Sequence, residues 1–245
     1  MEDLPLAVRA HSQGPISKPR SLSAFLWFLA AGVFSLGVVS LLLIGALRGI
    51  FSPQPIPGLN ARLQADGRLL GHFPYPEARS TQLVEVSPGL MLQSDAAKSF
   101  LAMQRAAAAD GIELSLLSAF RSIELQRKLF FDVKADRNQT ASDRAKVSAP
   151  PGYSEHSTGF AVDIGDLRNP QTNLSRTFLQ TQAYRWLRQN AARYQFVLSF
   201  PENNSQGVSF EPWHWRYEGS TEALKLFEPA QRLVRAKNSG ASPLP

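Results

Sequence analysis

No cysteine occurs anywhere in the chain, which excludes a disulfide framework and any thiolate-ligated metal site. The same absence leaves the redox compartment open, so location has to be read from other features. Histidine is scarce as well, at four residues: His11, His72, His156 and His214. There is no internal repeat, and no basic patch interleaved with aromatics of the kind that grips nucleic acid. Charge is missing altogether from Ser21 to Leu47, a stretch rich in Leu, Val, Phe, Ala and Gly.

That uncharged stretch is long enough to cross a bilayer as a helix, which takes about 20 apolar residues. Arg9, Lys18 and Arg20 precede it and only Arg48 follows closely. The positive-inside rule therefore expects residues 1–20 in the cytoplasm, a single span over 21–47, and the remainder outside the membrane, periplasmic or extracellular. A cleaved signal peptide is the competing reading. Its apolar region is normally about 7–15 residues and ends at a small-x-small site, whereas this run ends in Leu47-Arg48-Gly49. An uncleaved anchor is expected instead, and a buried soluble helix is the plainer alternative. Pro53, Pro55, Pro57 and Gly58 mark a semi-stiff linker, expected over 48–70. A folded domain is expected over 71–234 and a frayed tail over 235–245.

Within that domain, helix and strand signals alternate. Asp95 to Ala109 has helical spacing and stops at Gly111. Ser122 is placed to cap a helix through Phe130. Strands are expected at 112–117, 160–164, 196–200 and 213–217. A long amphipathic helix is expected over Arg176 to Tyr194, and a last one from Thr221, interrupted near Pro229. The order suggests an α+β fold and not a doubly wound parallel sheet. The formal net charge of +6 favours acidic partners such as an anionic cell wall, or solubility alone.

Two neighbourhoods carry chemistry. In Ser154-Glu155-His156-Ser157-Thr158-Gly159-Phe160-Ala161-Val162-Asp163, a loop histidine, a glycine turn and a short apolar strand let an imidazole and a carboxylate converge. Nitrogen and oxygen donors of this kind suit zinc. In Glu211-Pro212-Trp213-His214-Trp215-Arg216-Tyr217, a strand would turn the aromatics to one side and His214 with Arg216 to the other. His214 then supplies a third ligand, and Glu211 lies beside the metal as a base. Three protein ligands leave a position for water, as catalytic zinc requires. Each residue also has a plainer role: a core histidine, a turn aspartate, an ion-paired glutamate. His72 is expected to be of that plainer sort.

Taken together, Ser-x-His-x-x-Gly-x-Ala-x-Asp at 154–163 and Glu-Pro-Trp-His-x-Arg-Tyr at 211–217 resemble the VanY-type zinc D-alanyl-D-alanine carboxypeptidases. Ser118-Ala119-Phe120-Arg121-Ser122, followed by Gln126, resembles the same family's upstream element. The resemblance covers roughly residues 71 to 233. Phe120 stands where Tyr is common, and Glu218 where an apolar residue is usual. The resemblance implies a single hedgehog/D,D-peptidase-like domain, with a small mostly antiparallel sheet and flanking helices. It implies Zn2+ on His156, Asp163 and His214, with Glu211 as general base. It further implies that Arg121 binds substrate and stabilises oxyanion charge, with Ser154 and Gln126 on the substrate side. The expected substrate is a peptidoglycan stem peptide, cleaved at its terminal D-alanine. L,D-cleavage or endopeptidase action within the same superfamily is the alternative, followed by a non-catalytic wall-binding module. A nucleic-acid partner is not expected.

Overall fold

The computed structural model describes residues 56–239. The expected membrane span and cytoplasmic segment lie outside the described residues, as does most of the expected C-terminal tail. Among the described residues no helix is long and apolar enough to cross a membrane.

A two-stranded antiparallel hairpin, β1 (Leu83–Ser87) and β2 (Leu90–Gln93), leads directly into helix α1 (Ser94–Ala109). Strand β3 (Leu114–Ser118) follows, then α2 (Ile123–Asp136), the short α3 (Ala141–Ala145) and strand β4 (Ala161–Asp166). Helix α4 (Gln182–Asn190), strands β5 (Phe196–Leu198) and β6 (His214–Tyr217), and helix α5 (Thr221–Asn238) complete the chain. The main sheet has the order β3-β4-β6-β5 and every neighbouring pair is antiparallel. The α+β expectation holds.

Strand β4 is buried at all six positions, and alternation divides its two faces. Val162 and Ile164 enter the core, where they meet Leu92, Phe100, Met103, Phe178 and Leu187. Trp215 and Tyr217 of β6 join the same core. Asp163, His214 and Arg216 occupy the opposite face. Helix α1 packs Ala96, Ala97, Phe100, Met103 and Ala107 inward, at the spacing of one helical stripe.

Local departures from the expected elements have identifiable causes. The helix expected over Arg176 to Tyr194 is three pieces: a 3₁₀ turn at Arg176–Gln180, α4, and a 3₁₀ turn at Ala191–Tyr194. Thr181 breaks it, because its extended backbone and its hydroxyl, which accepts from Tyr184 N, cap a new helix. Helix α5 runs through Pro229 without interruption and ends at Asn238. Within the stretch expected as linker, Leu69 is buried and bridges to both Leu63 and His72, so these residues pack with the folded domain. Ser122 caps α2 as expected, accepting from Leu125 N.

Candidate metal centre and active site

His156 sits in a 3₁₀ turn, Glu155–Thr158, that ends on Gly159 in the left-handed region at φ 71°. The turn is held by Thr158 Oγ1, which donates to Glu155 O and accepts from Phe160 N. It reverses the chain into β4, so that Asp163 returns beside His156. A side chain at Gly159 would meet Leu83 Cδ2 at 2.7 Å and would sit on a left-handed backbone, so the turn favours glycine.

Asp163 and His214 are register partners across β4 and β6, and Ser118 faces Asp163 from β3. Residues directly opposite share a face, so the register itself brings these side chains together. His156 Nε2 lies 3.2 Å from Asp163 Oδ2, and His214 Nδ1 lies 3.0 Å from Asp163 Oδ1. One ligand atom from each of His156, Asp163 and His214 falls within 4.8 Å of the others, and all three residues are buried. The donor set fits a divalent cation of the zinc type: two imidazole nitrogens and one carboxylate oxygen converge, with a cavity on the open side.

Each imidazole is oriented by its second nitrogen. His156 Nδ1 is 2.8 Å from Ala119 O, which can only accept, so Nδ1 carries the proton and Nε2 keeps its lone pair. His214 Nε2 is 3.0 Å from Glu155 Oε2, leaving Nδ1 toward Asp163. Glu155 is itself buried. It accepts from Ser199 Oγ at 2.5 Å and from Arg216 Nη1 at 3.1 Å. Arg216 Nε donates to Glu218 Oε1, and Gln231 Nε2 donates to Glu218 Oε2. Glu218, set apart in sequence as a departure from the family pattern, thus ends a buried chain of contacts that begins at His214.

Without a cation these groups compensate one another. Burial alone would raise the Glu155 carboxyl, but Arg216, His214 and Ser199 bring it down to about 2. Burial would lower His214, but its bonds to Asp163 and Glu155 and their charges push it up to about 10. Asp163 is held well below the carboxylate range by His156 and His214, against its burial. Glu211 behaves in the opposite way. Burial, with Asp163 and Glu155 nearby, drives it up to about 8 despite His214 and Arg121.

Glu211 Oε2 lies 4.0 Å from His214 Nδ1. Its backbone N–H donates to Phe200 O, and its carbonyl accepts from His214 N, closing the turn into β6. Arg121 Nη1 donates to Gln126 Oε1, Nη2 donates to Ser118 Oγ, and Nη2 stands 3.9 Å from Asp163 Oδ2. Ser154 is buried at the cavity wall, and its side chain makes no capping bond in the turn it begins. A cavity of about 610 Å3 is lined by His156, Asp163, His214, Glu211, Arg121 and Ser154, among others. Its size is that of a ligand site.

Gln126 is placed differently from the expectation. It is fully buried behind Arg121, with its Nε2 donating to Ser148 Oγ and Ala149 O. With both ends of its amide engaged, it orients Arg121 and does not line the cavity. His72 Nε2 donates to Ala145 O at 2.7 Å and takes no part in the metal triad, as expected. Glu155 and Ser199 were missed in sequence. Nothing in the spacing marks them, although a glutamate beside a ligand histidine is a signal that a second contact sphere exists.

The family profile of VanY, D-alanyl-D-alanine carboxypeptidase, matches residues 89–220. The chain belongs to the VanY family. A putative carboxypeptidase of Bacillus subtilis is 33% identical over 134 residues, covering 54% of this chain and 48% of that protein. A D-alanyl-D-alanine carboxypeptidase of Enterococcus faecalis is 31% identical over 175 residues, covering 68% of this chain and 63% of that one. This VanY-family chain therefore spans about half to two thirds of the length of these relatives. Among solved structures, the LdcB LD-carboxypeptidase superposes with a TM-score of 0.57 at 26% identity, over 74% of this chain and 92% of that one. A VanY D,D-pentapeptidase variant from a VanB-type resistance cassette, in complex with Zn(II), superposes with a TM-score of 0.52 at 27% identity. That match covers 66% of this chain and 94% of the other.

Proposed function

We propose that this VanY-family protein is a zinc-dependent D-alanyl-D-alanine carboxypeptidase that removes the terminal D-alanine of peptidoglycan stem peptides. The observation that carries the proposal is the buried convergence of His156, Asp163 and His214 on one cavity wall, with Glu211 4.0 Å from His214. A binding module has no need of that additional carboxylate.

His156 through Nε2, His214 through Nδ1 and Asp163 through a carboxylate oxygen would hold the ion. Zinc bound there would lower the pKa of a water to about 7 and polarise the scissile carbonyl. Glu211 takes the proton from the attacking water and delivers it to the departing amine of D-alanine. Its place at the cavity wall, with Oε2 4.0 Å from His214 Nδ1, suits that role. Arg121, held in place by Gln126 and Ser118, stabilises the negative charge that develops on the carbonyl oxygen. Ser154 offers a hydroxyl to the substrate backbone. Glu155 keeps the His214 ring turned so that Nδ1 faces the site.

The uncharged run over 21–47, preceded by basic residues, supports a single-pass anchor with the domain outside the cytoplasmic membrane, where the substrate lies. The complete lack of native cysteine makes this simple to test. A single Ser142→Cys reporter, at an exposed position, would react with a membrane-impermeant maleimide in intact spheroplasts. Labelling only after permeabilisation would overturn the orientation.

Activity is tested by release of D-alanine from a pentapeptide ending in D-Ala-D-Ala, with zinc and with chelator, beside Glu211→Ala. Chelator-sensitive release that is absent in the variant supports the reading. The likeness to LdcB makes L,D-cleavage the second reading. Release from a tetrapeptide and none from the pentapeptide would select it.

A further inference from the structure

One side of the cavity carries positive charge that the metal site does not use. Arg121, Arg137 and Arg144 all line it. Arg121 has Asp163 within 4 Å, but neither Arg137 nor Arg144 forms a salt bridge among the described residues. Arg144 is half-buried on α3. Its Nη2 donates to Leu129 O, while its Nε is buried with no hydrogen-bond partner. The nearest acid in sequence, Asp143, is occupied by Thr140 and Lys146. Burial lowers the Arg144 pKa, and the like charges of Arg137 and Arg121 lower it further. Arg144 is thus held half-buried beside two other guanidiniums, the exposed Arg137 and Arg121, which faces Asp163, and its own Nε is left without the acceptor that an anionic ligand would supply.

We propose that Arg137 and Arg144 form an anion subsite that receives a second carboxylate of the substrate, carried by a side chain upstream of the cleaved bond. The preferred substrate is then an acidic peptide with a free carboxylate beyond its C-terminal one. Arg176, also at the cavity wall, is paired with Glu202 at 2.8 Å and stacked over Phe210, so it is not the surplus charge. A guanidinium suits the task because its planar fork matches a carboxylate. The subsite shares the cavity with His156, Asp163 and His214, which makes a peptide that already occupies the cavity the natural source of the anion. The proposal rests on the carboxypeptidase reading above.

The test uses the full 245-residue chain carrying Glu211→Ala and loaded with zinc, so that binding is read without turnover. Pairs of blocked peptides ending in D-Ala-D-Ala would differ in one group only. One member has a side-chain carboxylate, the other a carboxamide, at either of the two residues before the terminal pair. Calorimetry should show the acid bound about tenfold more tightly than the amide at one of these positions, the gain expected of a charge-assisted contact. In the Arg137→Gln/Arg144→Gln variant that ratio should fall below about twofold. The ratio compares two peptides on one protein, so a loss of folded protein does not imitate the result. Equal binding at both positions, or a preference that survives the double substitution, overturns the subsite. D-alanine release by the chain with Glu211 intact is measured separately. Release without discrimination sinks the subsite alone, and discrimination in binding without release sinks the carboxypeptidase reading alone.

Discussion

Asp163 and His214 face each other across β4 and β6, as paired residues of an antiparallel ladder with Oδ1 and Nδ1 3.0 Å apart. Two of the three candidate ligands are therefore built into the sheet itself, and His156 joins them from the 3₁₀ turn before β4. A loop would hold two ligands less exactly in place, whereas here backbone hydrogen bonds set their separation.

Removal of either partner should abolish stoichiometric metal binding. Asp163→Ala or His214→Ala protein should carry less than about a tenth of an equivalent of zinc after dialysis, against one for the parent. Metal analysis by mass spectrometry decides it. A full equivalent in both variants would show that the ion lies elsewhere.

Glu155 touches no substrate and acts through His214, so its loss should appear in metal affinity before chemistry. Glu155→Gln keeps the shape but removes the charge that orients the ring and pairs with Arg216. Zinc affinity, read by competition with a chromophoric chelator, should weaken about 10–100-fold. Unchanged affinity would reduce Glu155 to a partner of Arg216 alone.

Gly159→Ala should destabilise the fold by about 1–3 kcal/mol, since φ 71° strains an L-residue and the new methyl meets Leu83 and Gln93. Urea denaturation measures it. A stability loss below about 0.5 kcal/mol would mean that the β1–β2 hairpin yields easily.

His72 gives the chain a stability slope in mild acid. Burial lowers its pKa from 6.5 to about 4, because the charged form is desolvated. Above pH 6.5 both folded and unfolded forms are neutral and the group costs nothing. As pH falls from 6.5 toward 4, the unfolded chain binds the proton first and stability is lost, by at most about 3 kcal/mol. His72→Gln should flatten that part of the curve of unfolding free energy against pH. An identical slope in the two proteins would exclude His72 as its source.

The candidate metal ligands and Glu211 were legible because their chemistry is rare in this chain. With three histidines after residue 51 and two of them in dense motifs, few arrangements were open. The strand alternation at Trp213–Tyr217 also predicted that His214 and Arg216 share a face: His214 lines the cavity, and Arg216 lies buried on that face against Glu155. That Gln126 supports Arg121 and does not line the cavity was not legible. Whether an amide reaches a cavity or supports its neighbour depends on what is packed around it, here Ser148 and Ala149. Pro229 was read as a break, yet tertiary packing of Ala223, Phe227 and Ala230 carries α5 through it.

The sequence by itself determined the α+β class, most of the elements and the candidate ligands and base, because these follow from periodicity and from the donor chemistry of individual side chains. Only the tertiary structure decided the contacts among residues far apart in the chain. Glu155 meets His214, Ser199 and Arg216 across 44 to 61 positions, and the arginines of the cavity wall come from the loop before α2, the C-terminal cap of α2, α3 and the 3₁₀ turn at Arg176–Gln180. Such meetings depend on sheet register and on how helices close over it, and no local pattern encodes either.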